Sequence, residues 1–153
     1  MSIRLLLFLA IALVAIAAGV AVSHVLRWPV RREVSALPIA RLQISVRRFG
    51  LILGVVEVAA LIALLIVLFT VPVGTTTMWL VAAAAVCVAA MIGVWAAWLR
   101  PMNATIAAWL PKSLPSDWKH HHARWTRLHR ARAILAVIAL VLLLIGLMAH
   151  AAE

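Results

Sequence analysis

Acidic residues are scarce in this sequence. Its 153 residues include 14 Lys and Arg but only 4 Asp and Glu, and all charged residues together make up 12%. Soluble domains carry roughly twice that share, about 25%. Hydrophobic residues reach 67%, more apolar surface than a soluble protein of this size could bury. The composition therefore excludes an ordinary soluble domain and predicts a single membrane-embedded domain over residues 1–153.

Cysteine is almost absent as well. The one cysteine, Cys87, lies inside an apolar run and has no second thiol in the sequence as a partner. A disulfide framework and a cysteine metal motif are both excluded on that ground. We interpret Cys87 as a small apolar core residue.

Four long apolar runs are the main feature that the sequence does contain. Each has at least about 17 apolar residues, enough to cross the ~30 Å hydrocarbon layer as a helix. The first run is longer than the ~7–15 residues of a signal-peptide core and ends in a basic loop, so we expect it to stay as a membrane anchor. The predicted fold is an all-α bundle of four transmembrane helices. The predicted spans are residues 5–26, 49–71, 77–99 and 133–149.

The basic residues are confined to two connections, residues 27–48 and 100–132, apart from Arg4. The positive-inside rule then places both connections in the cytoplasm and both termini outside. Basic residues this close to the spans are expected to contact anionic lipid headgroups at the cytoplasmic face, and not nucleic acid. We expect a multi-pass protein of a bacterial inner (plasma) membrane.

Four helices bring polar side chains to the cytoplasmic end of the predicted bundle. His24 ends the first span, and Glu57 lies roughly 12 Å into the second at 1.5 Å per residue. A carboxylate facing lipid costs about 2.5 kcal/mol or more. Gly50 and Gly54 share its stripe as a G-x-x-x-G pair, which predicts close helix approach. Glu57 should therefore face another helix, where it either pairs with an arginine or serves a function. The third helix supplies Asn103, and the fourth supplies the residues described next, so we predict a polar pocket open to the cytoplasmic leaflet.

Trp125, His129 and Arg132 have the spacing i, i+4, i+7 and share one helix face. One interpretation is an interface helix with snorkelling arginines. The other is a site in which an imidazole takes a proton, an arginine stabilises developing negative charge and an indole packs on a flat ligand. The nearby run 120–122 is all histidine, but consecutive helical residues point to different faces, so we interpret it as a solvated surface.

Metal binding is the weaker alternative, and we predict no metal and no cofactor. His24, Glu57 and His129 do supply the donor set of a non-haem iron site, and His24 with His129 would be the ligands of a haem. These residues come from three helices, so their spacing in the sequence leaves both alternatives open.

Residues 100–132 resemble the anthrone oxygenase-like membrane proteins, a mostly uncharacterised bacterial and fungal family. The resemblance extends to the end of the first helix. Gln43 and Glu57 also match positions of the family pattern. The sequence departs from the family pattern at Arg27 and Trp28, where an acidic residue is expected, and no proline follows Glu57. The residues that carry the resemblance are Arg100-Pro101-Met102-Asn103, Ile106-Ala107-Ala108-Trp109, Asp117-Trp118, Arg124-Trp125, His129 and Arg132.

The resemblance implies a four-helix membrane fold and oxidation of an anthrone to an anthraquinone by O2, with no established cofactor. It implies that His129 is the base and that Asn103 and Arg132 donate hydrogen bonds to the carbonyl oxygen. Trp125 would stack against the substrate. Further substrate contacts would come from His24, Glu57 and Gln43. The expected function is an oxygenase acting on a flat, apolar, anthrone- or quinone-like molecule. The alternative is a non-enzymatic membrane helper whose basic loops bind a partner or anionic lipid.

Overall fold

The computed structural model describes residues 2–26, 36–109 and 115–152, with side chains for 2–26, 52–106, 108–109 and 115–152. In these ranges, four stretches are long and apolar enough to cross a membrane, which confirms the all-α, four-helix prediction. The orientation in the bilayer stays a prediction. The helices are α1 (Ile3–Leu26), α2 (Ala36–Thr70), α3 (Thr76–Val94), α4 (Arg100–Ala107) and α5 (Trp118–Ala152), with a π-helical segment (Trp95–Leu99) joining α3 to α4.

The four long helices pack as a bundle. Helix α1 contacts α2, α2 contacts α3, α3 contacts α5, and α5 closes the ring against α1. Helices α2 and α5 therefore occupy opposite corners. The chain runs alternately up and down, since the start of α1 packs near the end of α5, and His24 at the end of α1 lies beside Trp125 and His129 near the start of α5.

The apolar interior is layered along the bundle axis. The largest cluster includes the fully buried Leu7, Leu64, Val81 and Leu143, in the half that holds the chain ends. A second cluster, around Met91, joins α1, α3 and α5. A third cluster, of Leu99, Met102, Ile106 and Trp125, closes the opposite end. The polar groups of interest lie between the second and third clusters.

The outer surface is also apolar. Phe8, Phe69, Trp79 and Met148 are among the large hydrophobic side chains that the bundle leaves exposed. Apolar surface this extensive marks an interface in a soluble protein. Around four candidate membrane spans, it is the surface that contacts lipid.

A tight turn joins α2 to α3. Gly74 has φ of 87°, a conformation that residues with a Cβ rarely adopt. The Oγ1 of Thr75 accepts a hydrogen bond from the N–H of Met78 at 3.2 Å and so caps α3. These two residues reverse the chain without any charged group.

The third span continues past the predicted end at Leu99. Pro101 has no N–H, which removes one of the regular helical hydrogen bonds. The N–H of Arg100 instead bonds the carbonyl of Trp95, five residues back, and this wider π-helical turn lets the helix run on to Ala107. The candidate span is thus Thr76–Ile106, and Asn103 is carried on helix α4.

Close helix approach does not occur at Gly54, one of the two glycines where we predicted it. A Cβ added at Gly54 would have no neighbour within 4 Å, and the side-chain surroundings of Gly50 lie outside the described residues. The close contact lies instead between α3 and α5. A Cβ on Gly146 would sit 3.5 Å from the Cβ of Leu80, and the Gly146 carbonyl accepts a hydrogen bond from Thr77 Oγ1 at 3.3 Å.

Candidate functional site

The inward face of α5 carries three polar or aromatic residues. Trp125, His129 and Arg132 are only 5%, 8% and 4% exposed. Arg124 and Arg127, on other faces of the same helix, are exposed. The shared face predicted from the i, i+4, i+7 spacing is confirmed. Snorkelling fits the two exposed arginines but not Arg132, which points into the bundle.

Arg132 forms an ion pair with Glu57. Its Nη2 donates a hydrogen bond to Glu57 Oε1, and the carboxylate is 2% exposed. Since α2 and α5 occupy opposite corners, the pair crosses the bundle interior. The prediction that Glu57 faces another helix is confirmed. Among the residues whose side chains are described, no group accepts a hydrogen bond from Arg132 Nε, which is also buried.

Three aromatic rings meet beside this ion pair. The ring centroids of Trp125 and His129 are 4.0 Å apart, and those of His24 and His129 are 4.7 Å apart. The His24 ring meets Trp125 edge-on at 6.0 Å. Helix α1 supplies His24 from its last turn, so two separate helices build this cluster.

Helix α4 contributes Asn103. The indole Nε1 of Trp125 donates a hydrogen bond to Asn103 Oδ1 at 2.9 Å. An indole N–H can only donate, so the amide atom facing it must be the oxygen. The amide NH2 of Asn103 therefore points away from the indole, and the residue is exposed. Asn103 can meet a ligand as a hydrogen-bond donor.

The sequence analysis did not place His122 among the aromatic rings of the site. His122 stacks on Trp125, with centroids 6.1 Å apart and planes 20° apart, and it is half-buried. The interpretation of 120–122 as a solvated surface is therefore wrong for His122, although His120 is exposed. The i, i+3 spacing of His122 and Trp125 was the available signal. His121 turns elsewhere, with Nε2 3.2 Å from Asp117 Oδ2.

The donors considered for iron do not assemble. Among the described residues, no group of three or more His, Cys, Asp and Glu side chains could hold a metal ion. His24 and His129 lie together, but Glu57 is engaged with Arg132. The three-ligand iron hypothesis is therefore not supported by the placement of its residues. The side chain of Gln43 lies outside the described residues, so its predicted substrate contact stays a prediction.

The site combines four kinds of chemical group. It holds two imidazoles in ring contact, a buried guanidinium whose Nε–H has no acceptor among the described residues, an oriented amide donor, and flat aromatic surface. An imidazole beside donors that stabilise negative charge on oxygen is suited to proton abstraction next to a carbonyl.

Comparison with known proteins identifies one matching family. No curated protein and no solved structure is significantly similar to the chain. The sequence model of one family, described as anthrone oxygenase, matches residues 45–142, well over half of the chain. The match includes all but His24 of the residues placed in the site above, namely Glu57, Asn103, His122, Trp125, His129 and Arg132. The chain therefore belongs to the anthrone oxygenase family.

Proposed function

We propose that the protein is a cofactor-independent, membrane-embedded oxygenase that converts the activated methylene of an anthrone-like aromatic molecule to a carbonyl with O2. The observation that carries the proposal is the placement of His129 and Arg132 on one buried face of α5, one helical turn apart. A base and a stabiliser of negative charge are the two groups that this reaction needs from the protein.

His129 is the proposed base. The methylene of an anthrone lies between two aromatic rings and is conjugated with a carbonyl, so the negative charge left by its proton moves onto the carbonyl oxygen. The His129 ring is held by Trp125 at 4.0 Å and His24 at 4.7 Å. Ring contacts on two sides fix the direction from which the imidazole meets a substrate, which supports efficient proton transfer.

Arg132 and Asn103 are the proposed donors to the substrate oxygen. Glu57 holds Arg132 through Nη2, and Nε is the donor for which the described residues supply no acceptor. The Asn103 NH2 is the second donor. Donors fixed before the reaction stabilise an oxyanion at no further cost of reorganisation. Trp125, His24 and Gln43 would contact the rings of the substrate.

The reaction balances with O2 as the only co-substrate. His129 takes one methylene proton, and the carbanion combines with O2 to form a C–O bond. His129 returns its proton to the resulting peroxide. Removal of the second C–H proton then breaks the O–O bond, and the departing hydroxide takes up that proton to leave as water. One substrate methylene and one O2 give one carbonyl and one water.

The substrate would enter from the bilayer at the cytoplasmic end. The exposed basic residues of α4 and α5, Arg100, Lys119, Arg124, Arg127 and Arg130, lie on the side of the bundle that holds the candidate site. The positive-inside rule supports a cytoplasmic position for this end. In a bacterium, the inner membrane would hold the protein with both termini outside.

The test is oxygen consumption by the purified protein in lipid nanodiscs with anthrone as substrate. Anthrones oxidise slowly in air, so protein-free nanodiscs supply the background rate. We expect one O2 consumed per anthraquinone formed. His129→Gln should lower the rate by about 10²–10⁴-fold, while His120→Gln, at an exposed histidine of the same helix, should leave it unchanged. Equal rates for the two variants and the parent would remove His129 as the base.

The exposed basic residues also favour a second candidate function. A membrane helper protein would use Arg124, Arg127 and their neighbours to bind an acidic partner. Such a protein should co-purify with one partner in a fixed ratio. Arg124→Gln with Arg127→Gln should then release the partner, whereas an oxygenase would keep its turnover with both substitutions.

A further inference from the structure

We propose that Trp125 is a positioning residue that sets the ligand preference of the site: by fixing the Asn103 amide, it makes Asn103 meet ligands only as a donor. The site should then select flat aromatic ligands that carry a carbonyl oxygen over those that lack one. This inference rests on the proposed function for the class of ligand, but not for the chemical step.

The hydrogen bond from Trp125 Nε1 to Asn103 Oδ1 is the first support. It is 2.9 Å long and joins residues 22 positions apart, on α5 and α4. An asparagine amide that faces solvent can turn over and present either oxygen or NH2. Here the donor-only indole removes that choice, so two N–H groups remain for a ligand.

The second support is the way in which the indole itself is held. Trp125 is 5% exposed and packs in the apolar cluster with Leu99, Met102 and Ile106. It also contacts the rings of His129 at 4.0 Å, His24 at 6.0 Å and His122 at 6.1 Å, the last nearly parallel. A ring enclosed in this way provides a fixed donor, whereas Asn103 is exposed and has no comparable enclosure of its own.

Two unreactive or slowly reacting probes test the preference. Xanthone is a planar tricyclic ketone with a ring oxygen in place of the anthrone methylene, and xanthene has a methylene in place of that ketone. Binding of each would be measured under argon by equilibrium dialysis, with protein-free nanodiscs subtracted. Partition into lipid is the same for every variant, so the change in the xanthone-to-xanthene affinity ratio reports on the protein alone.

Three variants separate the roles. Asn103→Asp still accepts from the indole but offers no N–H, so the ratio should fall roughly 3- to 10-fold, the worth of one hydrogen bond. Trp125→Phe keeps an aromatic ring but frees the amide, and the ratio should fall by less than in Asn103→Asp, because a freed amide can still turn its NH2 towards the ligand. Trp79→Phe, the same change at an exposed residue of α3, should not alter it. An unchanged ratio in Trp125→Phe beside a lowered ratio in Asn103→Asp would overturn the positioning role.

A second measurement does not depend on Trp125→Phe folding. The indole N–H proton of Trp125 would be followed by NMR in the parent and in Asn103→Ala. Loss of the acceptor should move this signal upfield, and an unmoved signal would overturn the proposal. The outcomes also separate the two hypotheses. A xanthone preference without O2 turnover would remove the oxygenase function alone, and turnover without a preference would remove the positioning role alone.

Discussion

The ion pair between Glu57 and Arg132 gives the sharpest prediction for stability. The perturbation is Glu57→Met, Arg132→Met and the double variant, because methionine has a similar length and no charge. The two native side chains are 2% and 4% exposed, so solvent screening does not weaken the argument as it does for surface pairs. Each single substitution leaves one charge in the bundle interior without its partner.

The magnitude follows from which effect dominates. A hydrogen bond between membrane helices is worth only about 0.6 kcal/mol on average. An unpaired charge near the bilayer centre costs about 2.5–3.5 kcal/mol, and breaking a buried pair in soluble proteins costs about 3–5 kcal/mol. We therefore expect each single variant to lose roughly 3 kcal/mol. The double variant has no charge left to bury and should lose less than about 1 kcal/mol relative to the parent.

The assay is reversible unfolding from mixed micelles by SDS, followed by far-UV circular dichroism. Arg127→Met, at an exposed arginine of the same helix, is the matched control and should change stability by less than about 0.5 kcal/mol. The decisive quantity is the coupling between the two sites. If the double variant loses the sum of the two single losses, the charges do not depend on each other and the reasoning is refuted.

Three further predictions test particular local features. Gly74→Ala should destabilise the protein by about 1 kcal/mol because φ is 87°, whereas Gly54→Ala should not, since a Cβ there meets no atom within 4 Å; both are measured by the same SDS unfolding. Arg132→Lys keeps a cation for Glu57 but lacks Nε, so we expect stability near that of the parent and a fall in the oxygenase kcat of about 10²-fold. His122→Ala removes the ring stacked on Trp125 and should raise KM for anthrone more than it lowers kcat; an equal fall in kcat would place His122 in the chemical step instead.

The fold was predictable because span length and apolar composition are properties of single segments. The face shared by Trp125, His129 and Arg132 was predictable for the same reason, as it depends only on helical periodicity. The pairing of Glu57 with Arg132 joins residues 75 positions apart. The sequence showed that Glu57 needs a partner, but several arginines were available and only tertiary packing selects one.

The Asn103 contact was not predictable on local grounds. The direction of the Asn103 side chain depends on the π-helical segment Trp95–Leu99. This segment lies where Pro101 removes a helical hydrogen bond. The sequence analysis ended the third span at residue 99, just before Pro101. The close packing expected at Gly54 failed for a related reason, since a G-x-x-x-G spacing permits close approach but does not bring a partner helix to that face.

The chemical site depends on the whole bundle and not only on the segment that defines the family. The family match covers residues 45–142, yet His24 on α1 contacts the His129 ring at 4.7 Å. Helix α1 also packs along α5 from the ring cluster to the large apolar cluster at the other end. Without α1, one side of His129 would be exposed, and so would the apolar face of α5 that holds this histidine in place. A buried charge pair and a cluster of imidazoles are stable in an apolar bundle only when the site is closed to lipid, and α1 closes one side of it through Ala18 and Ala21 of the second apolar cluster and through His24. The histidine outside the family segment is therefore part of the same structural unit as the residues inside it.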